Sequence, residues 1–263
     1  MSRPPAVDIV IPVLNEAHVL ERSVATVRAH CAAHLRPYRW RVVVADNGST
    51  DGTAAVAARL AARHPDEVVV HTLPVAGRGR ALRRAWTRST AEACAYCDVD
   101  LSTDLEALRR LLDAVLVDGY DVATGSRLQP GRSRVERSRQ RTLLSRAYNL
   151  LLRLVLRVRF TDAQCGFKAV SRRAIERIVP QVRDESWFFD TELLVLAERQ
   201  GYRIADLPVR WVEDDDSRVE ILRTAWDDLK GVARLRLLLW RHPHGGVPAD
   251  ATADAPDGGC GSS

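Results

Sequence analysis

Two carboxylates one residue apart, Asp98 and Asp100, stand at the end of the apolar run Ala93–Cys97. Charges that close repel, and burial adds to the cost, so the pair calls for a counter-ion. A divalent cation that prefers oxygen ligands, Mg²⁺ or Mn²⁺, meets that need and takes its remaining ligands from phosphate oxygens and water. Thr103-Asp-Leu-Glu106 reads as the capping box of the next helix, which leaves neither aspartate needed as a cap. Two earlier apolar runs also end in polar clusters, Pro12-Val-Leu-Asn15-Glu16 and Asp46-Asn-Gly48-Ser-Thr-Asp51-Gly52. Carboxylates and amides there suit hydrogen bonding to a base and a ribose. No Gly-x-Gly-x-x-Gly follows the first run, which argues against a dinucleotide-binding fingerprint. Taken singly, these residues read first as helix caps at Asn15 and Asp51, with Gly48 and Gly52 in turns.

Other residues could meet anions or protons. Gly77-Arg78-Gly79-Arg80 reads as a phosphate-binding turn at a helix N-terminus. Asp190 and Glu192 fall in the first turn of a helix, where the dipole favours acids without any catalytic role. Cys94 and Cys97 lie inside a strand without a second pair, so they read as buried thiols, and His242-Pro-His244 is too short to read as a metal site.

These residues need a scaffold. Short β-branched or apolar runs at 7–13, 40–45, 68–73, 93–97 and 121–124 alternate with helix-length segments at 17–30, 53–64, 78–91 and 105–117. That alternation predicts an α/β fold with a mostly parallel central sheet and helices on both faces. Ligands of such sheets sit at the carboxyl ends of the strands, where the polar clusters lie.

The chain has 263 residues, 46% of them hydrophobic, and a net charge of +5, which excludes disordered, collagenous and coiled-coil classes. Five cysteines do not make a disulfide framework, and a reducing cytosol is expected. No signal-peptide pattern opens the sequence, and no stretch reaches the length of a membrane span. The modest total charge conceals two opposed patches: residues 127–159 hold ten Arg against Glu136, whereas residues 184–216 hold ten acids against three Arg. Within the basic stretch Leu143, Leu144, Tyr148, Leu151, Leu152, Val155 and Leu156 recur at helical spacing beside Arg146, Arg153 and Arg157. This is the pattern of a helix lying on an anionic bilayer, and equally of an amphipathic core helix. The sequence divides into a domain at 1–218, an amphipathic helical segment at 219–244 and a disordered tail at 245–263.

In this order the chain carries Pro12-Val-Leu-Asn-Glu16, Asp46-Asn-Gly-Ser-Thr-Asp-Gly-Thr53, Gly77-Arg-Gly79, Asp98-Val-Asp100, Thr124-Gly-Ser-Arg127, Asp162-Ala-Gln-Cys-Gly-Phe-Lys168 and Phe189-Asp-Thr-Glu192. With these motifs it resembles the family 2 glycosyltransferases of the GT-A fold, in the branch of the dolichyl-phosphate glucose and mannose synthases, over roughly residues 7 to 232. The resemblance implies that Pro12, Asn15, Glu16, Asp46, Gly48, Arg78 and Asp98 bind the nucleotide sugar. It implies that Asp98 and Asp100 hold Mg²⁺ or Mn²⁺, and that Arg127, Arg137 and Arg141 meet an acceptor phosphate. Asp100, Asp190 and Arg127 are the residues it marks as catalytic. Mannose synthases often carry at the position of Ser102 a Gln that completes the metal shell; this chain has no amide there. The Gln-Cys-Gly-Phe-Lys168 form and the Trp187-Phe-Phe-Asp-Thr-Glu192 run look more like the glucose synthases.

The implied reaction is inverting transfer of a hexose from UDP-glucose or GDP-mannose to a polyprenyl (dolichyl-type) phosphate, at the cytoplasmic face of the membrane. Peripheral membrane contact and a separate anchoring protein are the implied partners, and nucleic acid is not. Transfer to a hydroxyl with Asp190 as base is the alternative within the family. A catalytically dead Arg-rich binding module is the alternative outside it.

Overall fold

The computed structural model describes residues 3–136, 138–212 and 221–241. The first half follows the predicted alternation. Strands β1 (Ala6–Val13), β2 (Arg39–Asp46), β3 (Val68–Thr72), β4 (Ala93–Cys97) and β5 (Val122–Ser126) alternate with helices α1 (Leu20–His34), α2 (Thr53–Arg63), α3 (Arg78–Arg88) and α4 (Glu106–Leu116). The second half adds β6 (Arg134–Glu136), α5 (Arg139–Leu156), β7 (Phe167–Ser171), α6 (Arg172–Arg177), α7 (Phe189–Arg199), β8 (Ile204–Pro208), β9 (Arg210–Val212) and α8 (Ile221–Arg241). Neither β7 nor β8 has a run that predicts it: Lys168 interrupts the five residues of the first, and Asp206 and Pro208 those of the second.

The main sheet has the order β3-β2-β1-β4-β7-β5-β8. Strand β7 runs antiparallel to both neighbours, while β5 and β8 pair in parallel. All strands but β7 therefore point the same way. The carboxyl ends of β1, β2, β4 and β5 share one edge with the amino end of β7. Apolar side chains cover both faces. On one, Leu20, Val24 and Val27 of α1 share a cluster with β1 and β2 while Leu108 and Leu111 of α4 lie over β4, β7 and β5; on the other, Leu82 and Trp86 of α3 share a cluster with Leu193 and Leu194 of α7 and Val232 of α8.

Two predicted local features differ. The N-cap of α4 is Leu105 with no side-chain cap, and Asp104 Oδ1 accepts the Glu106 N–H at 3.0 Å, so the expected capping box of Thr103 and Glu106 is not formed. Thr103 instead bridges to Trp211 of β9, because the β6–β9 ribbon docks here. The amphipathic positions of α5 divide: Leu152 and Leu156 are fully buried in the core, whereas Leu143 is 70% exposed. One side of the helix is thus a core face, and the other is exposed. The segment expected after residue 218 also packs into the main core, where α8 seats Gly231 against the Phe188 ring and Arg234 against Glu192 at 2.9 Å. The expected tail, His242 and His244 lie outside the described residues.

Candidate functional site

The loops after β1 and β2 are hydrogen-bonded to each other. Asn15, at φ 58°, receives the Thr50 N–H on its side-chain oxygen at 2.8 Å and donates its own N–H to Ser49 Oγ at 2.9 Å. Asn tolerates this left-handed conformation better than most residues. The Glu16 N–H reaches Thr53 Oγ1 at 2.9 Å, and Asp51 receives N–H groups from both Ala17 and Thr53. The N-cap of α2 is Gly52, without a side-chain cap, so Asp51 stands one residue before the expected capping position; its hydrogen bonds, that of the Thr53 hydroxyl foremost, hold its carboxyl below the ordinary range. Asn15 caps nothing; it fixes the shape of the loop. Pro12, next to last in β1, is buried.

Asp46 closes β2 with 1% of its surface exposed. Its Oδ1 accepts the Ser49 N–H, while Oδ2 is buried without a hydrogen-bond partner among the described residues. A buried acceptor left unmatched is costly unless a ligand donor fills it. Beside it Gly48, at φ +81°, would bring a Cβ within 3.3 Å of the Ala76 nitrogen. Asn47 ties this loop to the next by accepting the Gly77 N–H at 2.6 Å.

Arg78, in the first turn of α3, forks between two carboxylates: Asp98 Oδ1 at 2.7 Å and Asp190 Oδ2 at 2.7 Å. Its guanidinium also lies 5.0 Å from the ring centres of Tyr96 and Trp187. The buried Lys168 ammonium approaches Asp190 Oδ1 at 3.2 Å, and the Tyr96 hydroxyl donates to the same oxygen at 2.6 Å. Burial alone would raise the Asp190 pKa, but Lys168, Arg78 and the Tyr96 hydrogen bond overcome it and hold the carboxyl below its ordinary range. Burial keeps the Tyr96 phenol well above its ordinary pKa, so it stays a donor. The result is a chain of alternating charge, Asp98–Arg78–Asp190–Lys168, running inward from the sheet edge.

Asp98 and Asp100 are less enclosed than their place after a buried strand suggests. The Asp98 side chain is 39% exposed, Asp100 is exposed, and its Oδ1 accepts the Ser102 N–H. Arg78 already offsets part of their repulsion, a counter-charge the sequence argument did not include. The antiparallel register Cys97↔Phe167 sets Gly166 across from Asp98. A Cβ at Gly166 would fall 1.6 Å from Asp98 Oδ2, so the glycine makes the room that this carboxylate occupies. Two carboxylates with open access form an oxygen donor set that fits Mg²⁺ or Mn²⁺. Ser102 Oγ, next to them, is buried without a partner among the described residues.

Arg127 differs from its expected place. Its Nε and Nη2 grip Asp162 at 2.7 and 3.0 Å, and the guanidinium lies 5.7 Å from the Trp211 ring centre. With Nε and Nη2 engaged by this fully buried carboxylate, Arg127 ties the end of β5 to the loop before β7. Arg141 lies in the first turn of α5, half-buried, and Arg137 lies outside the described residues. Gly79 permits the close approach of α3 to α7, since a Cβ there would meet the Phe189 side chain at 2.6 Å. The expected phosphate turn is thus partly committed to packing, and Arg80 pairs with Glu185. Cys94 and Cys97 are buried free thiols, as expected, and burial pushes Cys94 up to about 12. Tyr96, Asp162, Gly166, Lys168 and Trp187 are contributors to which the sequence assigned no role. Lys168 carried a signal: it is one of only two lysines among 39 basic residues.

Comparison with known proteins places this geometry. The family model for glycosyl transferase family 2 matches residues 8–179, which carry every strand of the main sheet except β8. Glycosyltransferase AglD of Haloferax volcanii is 40% identical over 234 residues, a match covering 89% of this chain; the chain spans only 37% of the length of AglD. Polyprenol monophosphomannose synthase of Mycolicibacterium smegmatis is 33% identical over 78% of this chain and 77% of its own. Among solved structures, glucosyl-3-phosphoglycerate synthase from Mycobacterium tuberculosis, in complex with Mn²⁺, UDP and phosphoglyceric acid, superposes with a TM-score of 0.61 at 19% identity, covering 94% of this chain and 80% of that one. The strand-end loops, the carboxylate pair and the family match together make this chain a member of glycosyltransferase family 2, with the GT-A fold.

Proposed function

We propose that this glycosyltransferase moves a hexose from a nucleotide-diphosphate sugar, UDP-glucose or GDP-mannose, to a polyprenyl (dolichyl-type) phosphate, with inversion. The observation that carries the choice of acceptor is the state of Asp190. A hydroxyl acceptor needs a base to take its proton. Asp190, the acid expected for that task, is bound by Arg78, Lys168 and Tyr96 and kept ionised, which makes it a poor proton acceptor. A phosphate acceptor is already ionised and needs none. The kinship with polyprenol monophosphomannose synthase supports the same acceptor.

In this reading Asp46 Oδ2 receives an N–H of the base, and the loop of Asn15, Glu16 and Gly48 encloses the nucleoside. Asp98 and Asp100 would hold a divalent cation, Mg²⁺ or Mn²⁺, whose charge stabilises the departing diphosphate. Arg78 and Asp190 orient the hexose. An oxygen of the lipid phosphate then bonds to the anomeric carbon as the bond to the diphosphate breaks on the opposite side, releasing a nucleotide diphosphate. Holding the two substrates in line supplies much of the acceleration. Arg141, at the N-terminal end of α5, is the candidate for the acceptor phosphate, since helix N-termini and Arg forks both favour phosphate.

The lipid brings a bilayer with it, and we assign the outer face of α5 and α8 to that contact, with the cytoplasmic leaflet as its place and a membrane anchor protein as an added partner. Leu154, Trp226 and Trp240 are 71%, 61% and 73% exposed there. A groove of about 470 Å³ between the helices is lined by Leu151, Val155, Leu229, Leu237 and Trp240, with Arg236 at its side. Arg146, Arg153 and Arg157 are exposed on α5 and its C-cap and complement anionic headgroups. No helix among the described residues is long and apolar enough to cross a membrane.

The test is nucleotide diphosphate release by the purified chain with Mn²⁺ or Mg²⁺, a short polyprenyl phosphate and a panel of UDP- and GDP-sugars, with the lipid product identified by mass. Release that requires the lipid phosphate is the expected result. Donor binding with release independent of the lipid would turn the assignment to a hydroxyl acceptor.

A further inference from the structure

We propose that His30, His34 and Glu106 form a second metal site, separate from Asp98 and Asp100, which takes a borderline transition-metal cation such as Zn²⁺ and staples α1 to the start of α4. His30 and His34 stand four apart on α1 and so share one face of the helix. Their rings stack with centroids 4.5 Å apart and 25° between planes. Glu106, in the first turn of α4, brings a carboxylate to the pair. One ligand atom from each of the three residues lies within 4.8 Å of the others. Two imidazoles and a carboxylate are a set that Zn²⁺ takes, with water in the remaining position. The all-oxygen pair at Asp98 and Asp100 suits harder cations, so the two sites select different metals.

An independent observation points to a ligand here. His30 Nε2 is buried and has no hydrogen-bond partner among the described residues. Buried ring nitrogens are normally satisfied, and this one is not. Helix dipoles favour a His at the end of α1 and a Glu at the start of α4, each taken alone. They do not account for the convergence of both on His30. Glu106 is not needed as a cap either, because Asp104 accepts the Glu106 N–H.

The staple would act on the donor loop from behind. Glu106 follows Asp100 by six residues, and Ser23 of α1 already donates its hydroxyl to the Val99 carbonyl at 2.5 Å. A metal between the end of α1 and the start of α4 adds a second tie to the same loop without touching the donor.

The experiment titrates the full chain, freed of metal by a chelator, with Zn²⁺, followed by calorimetry and by thermal melting, and repeats it with Co²⁺ to read the absorption bands of nitrogen ligation. It is done in an Asp98→Asn/Asp100→Asn background to silence the other carboxylates. His34→Ala and Glu106→Gln are the probes; both side chains are exposed, so the fold tolerates their loss. Saturable binding of a single Zn²⁺ with a raised Tm is expected. It should weaken about ten-fold or more in either probe variant, by analogy with the loss on removing even an outer partner of a metal ligand. No saturable binding in that background would overturn the proposal, and so would binding that persists unchanged in His34→Ala, as it would if His242 and His244 were the ligands.

Discussion

Gly166 faces Asp98 across the antiparallel β4–β7 register so closely that a Cβ on the glycine would overlap Asp98 Oδ2 at 1.6 Å. The atom it would strike is the end of a short, part-exposed side chain, which can turn aside. Gly166→Ala is therefore expected to cost the fold about 1–3 kcal/mol, the usual range for overpacking. The displaced carboxylate should cost turnover far more, about 100-fold, as a misplacement near 1 Å does in a positioned site. Thermal melts beside diphosphate release separate the two effects; a variant with unchanged turnover would show that Asp98 need not stand where it does.

The ion-pair chain through Asp190 gives a prediction about pH. Its carboxyl is held below its ordinary value, so its stabilising contribution is present above the unfolded value near 4 and is lost as pH falls through the lower folded value. Asp190 should therefore put no inflection into the kcat/KM profile between about pH 5 and 8, whereas a working base would do so. Lys168→Met leaves Asp190 short of one buried partner and is expected to destabilise the protein by about 3–5 kcal/mol. Profiles of wild type and Asp190→Asn, set beside melts of Lys168→Met, check both statements.

What the sequence disclosed of this site follows from which residues carry local signals. Asp46, Asp98 and Asp100 sit where short apolar runs stop, and that break is visible in one dimension. Strand β7 is not, because its identity depends on pairing with β4 and β5 from 70–78 and 44–48 residues away, and Lys168 spoils its apolar pattern. The roles of Tyr96 and Gly166 depend on the same register. Arg127 shows the converse: its motif was legible, but its partner Asp162, 35 residues on, was not, and the partner decides what the guanidinium does.

Asp228 of α8 is a second pH-sensitive group. Burial first, with Asp184 and Asp227 nearby, pushes its carboxyl up to about 6, against the Gln164 amide that donates to it at 2.6 Å. A raised folded value means that this contribution is fully present below about pH 4 and is lost as pH rises through about 6. The shift corresponds to an upper bound of about 3 kcal/mol. Asp228→Asn keeps an acceptor for Gln164 and removes the charge. The variant should match wild type at pH 4.5 and be more stable at pH 8, by about 2 kcal/mol. Denaturant melts at the two pH values decide it, and a wild-type-like drop between them in the variant would place the titrating group elsewhere.

The apolar outer face of α5 and α8 makes the last prediction. Leu154 and Trp240 are each more than 70% exposed on helices whose opposite sides, through Leu152, Leu156 and Leu235, are locked in the core. Inserting one such side chain into a bilayer boundary is worth about 2 kcal/mol, so Leu154→Glu or Trp240→Glu should weaken association with vesicles of mixed zwitterionic and anionic lipid by about thirty-fold each. Added salt should weaken wild-type binding as well, because Arg146, Arg153 and Arg157 are screened. Turnover of a short, water-soluble polyprenyl phosphate should be unchanged in both variants, since neither residue belongs to the donor site. Vesicle sedimentation and the soluble assay read these separately. If the double variant binds vesicles as wild type does, the face serves a protein partner and the bilayer is met elsewhere.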